Sequence, residues 1–177
     1  MTIPILKNPS VNKMINPNIN RAVNPNINRV IDPNINREIN PNTNREINPN
    51  TNRMLNPKIN ENINPKINER INPKINENIN PKINGMLNPM TNLENYQGLL
   101  IYDMTLTVVE FIVETGHNDV IQIFNENLEN TRFGVKHTQN GYLLFDLNLN
   151  CIAHLESDSQ TGYNEFGLNN DWQGIIK

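Results

Sequence analysis

A chain of 177 residues has room for one ordinary domain or two small ones, and its formal charge of −3 is the sum of two opposed halves. Residues 1–92 carry twelve Lys or Arg against six Asp or Glu, a formal +6, while residues 93–177 carry three against twelve, a formal −9. One cysteine, Cys151, excludes an internal disulfide scaffold, and no run approaches the roughly 18 apolar residues of a membrane-spanning helix.

The basic half is an octad array. Asn, or Asp at position 32, precedes Pro at positions 8, 16, 24 and every eighth residue to 88, and a second Asn follows four residues after each. An aliphatic or Thr precedes each second Asn, as at Ile19, Ile27 and Thr43. From the second unit on, an aliphatic also precedes each Asn-Pro pair, as at Ile15, Val23 and Ile31. A third position varies freely: Ala22, Glu38, Met54, Asn62 and Arg70. Proline at this spacing breaks an α-helix and interrupts any long strand ladder. Asn-Pro suits a tight bend, where proline fixes φ and the Asn side chain accepts a backbone N–H two residues on. The pattern therefore predicts bends joined by short extended pieces, coiled into a β-solenoid with both aliphatic positions in interior files and asparagines in ladders. Burial of these aliphatic residues falls well short of the cost of ordering the array, so other contacts must contribute.

The acidic half has a slower rhythm. Tyr102, Phe124, Phe145 and Phe166 stand 22, 21 and 21 residues apart, each followed by a turn residue. Four residues after them come Leu106, Leu128, Leu149 and Asn170; nine after come Phe111, Phe133, His154 and Ile175. Strand-like segments between these anchors predict about four β-hairpins in a small antiparallel meander. The expected architecture is all-β: an octapeptide-repeat solenoid over 1–92, then an acidic hairpin domain over 93–177 that is a candidate solenoid cap.

Chemistry-bearing residues are sparse. Arg21, Arg29, Arg37, Arg45 and Arg53 recur at one octad position and are candidate binding residues; Tyr163 and Trp172 are a candidate aromatic platform for a sugar or peptide. His117, His137 and His154 match no compact zinc motif and read as turn or surface residues, and Glu156 and Asp158 as solvated turn residues. Cys151 reads as a small buried hydrophobe. No metal, cofactor or catalytic set is expected. The once-per-unit basic residues, without interleaved aromatics, argue against nucleic acid. Met1 to Lys7 lacks the apolar core of a secretory signal, so a cytoplasmic, membrane-free location is expected. The expected function is a non-enzymatic structural or protein-interaction repeat module with a protein partner or self-association. The alternatives are a carbohydrate- or ice-surface binder, a glycan being a conceivable ligand, and a small hydrolase.

Overall fold

The computed structural model describes residues 3–91 and 96–177. Eight strands, β1 (Leu100–Asp103), β2 (Val108–Glu114), β3 (Val120–Asn125), β4 (Asn130–His137), β5 (Gly141–Asp146), β6 (Cys151–Ser157), β7 (Tyr163–Gly167) and β8 (Trp172–Ile176), follow one another up and down. Each pairs antiparallel with the next, and β8 returns to β1 through Ile101 opposite Ile176 and Tyr102 opposite Ile175, closing a barrel. Closure leaves no strand edge open.

Four hairpin turns lie at one end of the barrel and share a design. The Oδ1 atoms of Asp103, Asn125 and Asp146 each accept the backbone N–H groups two and four residues on. The fourth residue of each turn is left-handed, at φ 63° for Leu106, 59° for Leu128, 68° for Leu149 and 61° for Asn170. A left-handed leucine costs about 1–2 kcal/mol. Each of the three leucines packs against an apolar cluster on the barrel's outer face, which offsets that strain.

Alternation along the strands sorts the barrel residues. Ile101, Ile112, Ile121, Ile123, Leu144, Ala153, Leu155 and Ile176 fill the interior. The anchors of the 21-residue rhythm point outward, and each is met by the +9 residue of the preceding unit. Phe111 stacks on Phe124 at 5.7 Å, Phe133 on Phe145 at 5.5 Å and His154 on Phe166 at 5.5 Å, while Ile175 pairs with Tyr102. An apolar outer face of this size requires a cover.

The octads provide it by encircling the barrel. Lys7 donates to the carbonyls of Tyr96 and Gly98, and Tyr102 O–H donates to the Lys7 carbonyl. Further along, the Val23 carbonyl accepts from Asn164 on β7, and Asn34 and Asn42 donate to the Asn170 and Leu168 carbonyls in the β7–β8 turn. Lys58 reaches Asn150 between β5 and β6; Leu55, Ile63 and Ile71 pack on Phe133, Val135, Leu143 and Phe145. Gln122 on β3 donates to the Ile71 carbonyl. Ile79 and Leu87 then join Ile3 in the cluster around Tyr102 and Phe111, so the circuit ends where it began.

Each octad consists of two single turns tied by asparagine. The Asn16 carbonyl accepts the N–H groups of Ile19 and Asn20, and its Oδ1 accepts that of Asn18. Asn20 Oδ1 then accepts the Ala22 N–H and opens a 3-10 turn over Arg21–Val23. The Asn28 Nδ2 donates back six residues to the Ala22 carbonyl, a bond that recurs from Asn36 to Val30 and from Asn44 to Glu38. The variable position thus contributes only its N–H and carbonyl, with its side chain exposed at Ala22, Glu38, Met54 and Arg70. This explains its freedom to vary.

The solenoid is corrected by these bonds. Most octad asparagine side chains bond neighbouring turns of the belt, no β-ladder joins one octad to another among the described residues, and the strands form one closed barrel rather than a separate meander of hairpins. With it goes the function expected of a solenoid repeat module, because the chain folds as a closed barrel. Asparagine content and octad spacing describe the sequence; the architecture is a barrel. Only one aliphatic file is interior: Ile31, Ile47, Ile63 and Ile71 are buried together with every octad proline, whereas Ile19, Ile27, Ile35, Ile59, Ile67, Ile75 and Ile83 are exposed.

Candidate functional site

The barrel end opposite the four hairpin turns forms an open mouth. A cavity of about 360 Å³ there is lined by Glu114, His117, Asn118, Asp119, Lys136 and Tyr142, among others. The β2–β3 connection that frames it departs from the hairpin design. Gly116, Asn118 and Asp119 take φ of 71°, 52° and 53°, and Asn118 Nδ2 fastens the loop to the Asn62 carbonyl of the octad belt. Gly116 is suited to this conformation; Asn and Asp tolerate it better than most residues. A neighbouring cavity of about 220 Å³ shares Asn118, Asp119 and Lys136 and is lined by Met54, Asn60 and Asn62 of the belt. At the cavity's edge the Tyr142 and Tyr163 rings meet edge-on at 5.6 Å. Burial, then the charge of Tyr163, Glu114 and Asp119, raises the Tyr142 hydroxyl pKa.

The interior is closed below the mouth by its aliphatic layer, and at the turn end by an ionic one. Arg132 on β4 bonds Glu110 on β2 through Nε and Nη2 and Glu165 on β7 through Nη1 and Nη2. Burial pulls the Arg132 pKa down, but the hydrogen bonds and charges of Glu165 and Glu110 outweigh it and hold the guanidinium above its ordinary value.

On the outer face, beneath the belt, one sector is polar where the others are aromatic. His154 stands where Phe111 and Phe133 stand in earlier units, and Asn170 where the left-handed leucines stand. His154 Nδ1 lies 2.7 Å from Glu156 Oε1, His154 Nε2 lies 3.1 Å from Asn170 Oδ1, and His137 Nε2 lies 3.2 Å from Glu156 Oε1. His137 reaches Glu156 from two strands away because the intervening residue is Gly141: a Cβ there would stand 2.6 Å from His137 Nε2 and closer still to the Leu155 carbonyl oxygen. Burial lowers both histidines to about 4 and raises Glu156 well above the usual carboxylate range. One neutral pattern satisfies these distances. Gln139 N–H donates to His137 Nδ1, and His137 Nε2–H donates to Glu156 Oε1. The protonated Oε1 donates to His154 Nδ1, and His154 Nε2–H donates to Asn170 Oδ1. Glu156 Oε2 has no hydrogen-bond partner among the described residues.

The sequence candidates fall apart in space. Arg21, Arg29, Arg37, Arg45 and Arg53 are exposed on the belt, and among the described residues none forms an ion pair; the ion pairs present all lie within the barrel half. Tyr163 belongs to the interior cluster and Trp172 to the outer one, its indole N–H donating to the Gly174 carbonyl, so the two do not form a shared platform. Cys151 packs beside the Phe133–Phe145 cluster, and burial pushes its thiol up to about 11. His137, His154, Glu156 and Asp158 are buried rather than solvated; Asp158 pairs with Lys177 and accepts the N–H groups of Gln160, Thr161 and Gly162. The signal that marked the buried cluster was present in the sequence, as two departures from the 21-residue rhythm in adjoining units, His154 in place of Phe in the third and Asn170 in place of Leu in the fourth.

Among the described residues no group of three His, Cys, Asp or Glu side chains is placed to hold a metal ion, and no helix is long and apolar enough to cross a membrane. The fold and its mouth define a closed, filled, eight-stranded antiparallel barrel held inside a belt of its own chain. No family model, curated protein or solved structure matches this chain.

Proposed function

We propose that the protein is a non-catalytic binding barrel that takes a small polar molecule at its mouth. The observation that carries this reading is the cavity of about 360 Å³ bounded by Glu114, Asp119, Lys136 and Tyr142, at the open end of an interior otherwise packed with side chains. An eight-stranded barrel whose interior is filled by side chains, as this one is, leaves the mouth as the available concavity. The non-catalytic part rests on where the perturbed groups lie. Strongly shifted titratable residues mark reactive sites when they line a cleft. Here His137, His154 and Glu156 are shut between barrel and belt, away from the cavity, and the shifted residue that does line it, Tyr142, is raised chiefly by burial, which keeps its hydroxyl protonated.

Screening a library of small polar fragments by backbone amide shifts tests the reading. Hits are expected to move residues 114–121, 136 and 142 together, and to weaken at least tenfold in Lys136→Ala or Glu114→Gln. Hits that map elsewhere, or none at millimolar concentration, would overturn it. A protein partner is a second reading, favoured by the exposed isoleucines at 59, 67, 75 and 83, which present apolar side chains at octad spacing on the belt. Sedimentation of the wild type against a variant with Ile59, Ile67 and Ile75 changed to Thr would detect a second copy docking there. An unchanged monomer in both would exclude that partner.

A further inference from the structure

We propose that His137, Glu156, His154 and Asn170 form a proton-sensitive latch holding the belt's residues 24–48 against β6 and β7. The cluster is enclosed: His137 is 4% exposed and His154 and Glu156 are 0% exposed. It is built, because Gly141 clears the path by which His137 crosses β5 to Glu156. It is tied to the belt, because Asn170 accepts from His154 with its side chain and from Asn34 of the belt with its carbonyl. Asn164, opposite Glu156 on β7, donates to the Val23 carbonyl where this stretch of belt begins. Glu156 Oε2, a buried acceptor with no hydrogen-bond partner among the described residues, adds to the cost of the closed state.

The surrounding charges leave the cluster to titrate on its own groups. On β4 the neighbouring Lys136 lies at the mouth, on the opposite side of the strand. On β7 Glu165 faces the interior and holds Arg132, and beyond β6 Asp158 is committed to Lys177. Asp171, next to Asn170, is exposed and bonds Gln173. The belt residues buried in this sector, such as Ile31, Pro33, Pro41 and Ile47, carry no charge, while Arg29, Arg37, Glu38, Arg45 and Glu46 are exposed and Asp32 is half-buried.

The sign follows from the directions of the shifts. Closed histidines near 4 take up protons on opening at any pH between there and their ordinary 6.5, so acid favours release. Glu156, protonated when closed, releases a proton on opening above its ordinary 4.5, so alkali also favours release. Between pH 4.5 and 6.5 two protons are gained and one lost, and the opening constant rises about tenfold per pH unit of acidification. Above 6.5 only Glu156 contributes, and opening rises again by up to about tenfold per unit. The latch is tightest near pH 6.5.

Hydrogen exchange of the full chain, read by mass spectrometry from pH 4.5 to 8.5 and corrected for intrinsic rates, tests this. Amides of residues 24–48 are expected to show a bell-shaped protection profile, while those of 56–80, which lie over the aromatic sector, stay flat. Glu156→Gln should keep the acid limb and lose the alkaline one. His154→Phe with Glu156→Gln, which restores the aromatic of the earlier units, should halve the logarithmic slope of the acid limb relative to Glu156→Gln alone. Equal loss of protection in both stretches, a flat wild-type profile, or profiles unchanged by Glu156→Gln would each overturn the proposal.

Discussion

Replacing Arg132 with Met is expected to destabilise the protein by about 3–5 kcal/mol at pH 7, read from urea unfolding. The guanidinium is 14% exposed and its partners Glu110 and Glu165 are 16% and 8% exposed, so removing it strands two carboxylates facing each other inside the barrel. Their mutual repulsion and poor solvation would raise their folded-state pKa values above those of the unfolded chain. A group shifted in that direction contributes less stability as pH rises, so the deficit should shrink markedly between pH 7 and pH 4.5. Changing all three residues, Arg132→Met with Glu110→Gln and Glu165→Gln, should recover most of the loss, because no unpaired charge is left behind. Equal deficits at both pH values would mean that Arg132 matters through packing rather than charge.

Two isoleucines four residues apart in the belt should differ sharply. Ile71→Ala is expected to cost about 2–5 kcal/mol, because Ile71 is fully buried against Phe133 and Phe145 and its removal leaves a cavity between belt and barrel. Ile67→Ala should cost about 1 kcal/mol or less, because that side chain is 54% exposed. Denaturation midpoints of the two variants at equal m-value give the comparison. Similar losses would return the second aliphatic file to a buried position and contradict the one-sided belt.

The two rhythms in the sequence located the bends and hairpins well. Proline every eighth residue does mark a turn, with the preceding Asn side chain accepting the N–H two residues on, as at Asn16 and Asn18. Tyr102, Phe124, Phe145 and Phe166 do occupy equivalent places, at the ends of successive hairpins. What was not legible was long-range partnership. A bend can return a chain onto itself or carry it around another object, and nothing local to Asn-Pro distinguishes the two. Isoleucine occupies both the buried position before Asn-Pro and the exposed position before the second Asn, so composition concealed which file faced inward. Closure depends on β8 finding β1, a pairing between Ile176 and Ile101 that leaves no trace in either segment alone.

The opposed charges of the two halves were legible as an attraction, and the structure places the basic half around the acidic one. Among the described residues no ion pair joins belt to barrel; hydrogen bonds from Asn150 hold the Asp146 carboxyl below its usual range, and the charge of Lys58, bonded to Asn150, adds the smallest contribution. The specific contacts between belt and barrel are apolar packing and hydrogen bonds, mostly from side chains to backbone carbonyls. The candidate site was less visible than the fold. The mouth gathers Glu114, Asp119 and Lys136 from separate strands and a loop, and the buried latch required reading His154 and Asn170 as departures from Phe and Leu.

The belt around the barrel is tested most directly by methyl-to-aromatic nuclear Overhauser contacts in the intact protein. The account predicts contacts from Leu55, Ile63 and Ile71 methyls to the Phe133 and Phe145 rings, and from Ile79 and Leu87 to the Tyr102 and Phe111 rings. Contacts confined to aliphatic groups within the octads, with those rings touching only barrel residues, would contradict it.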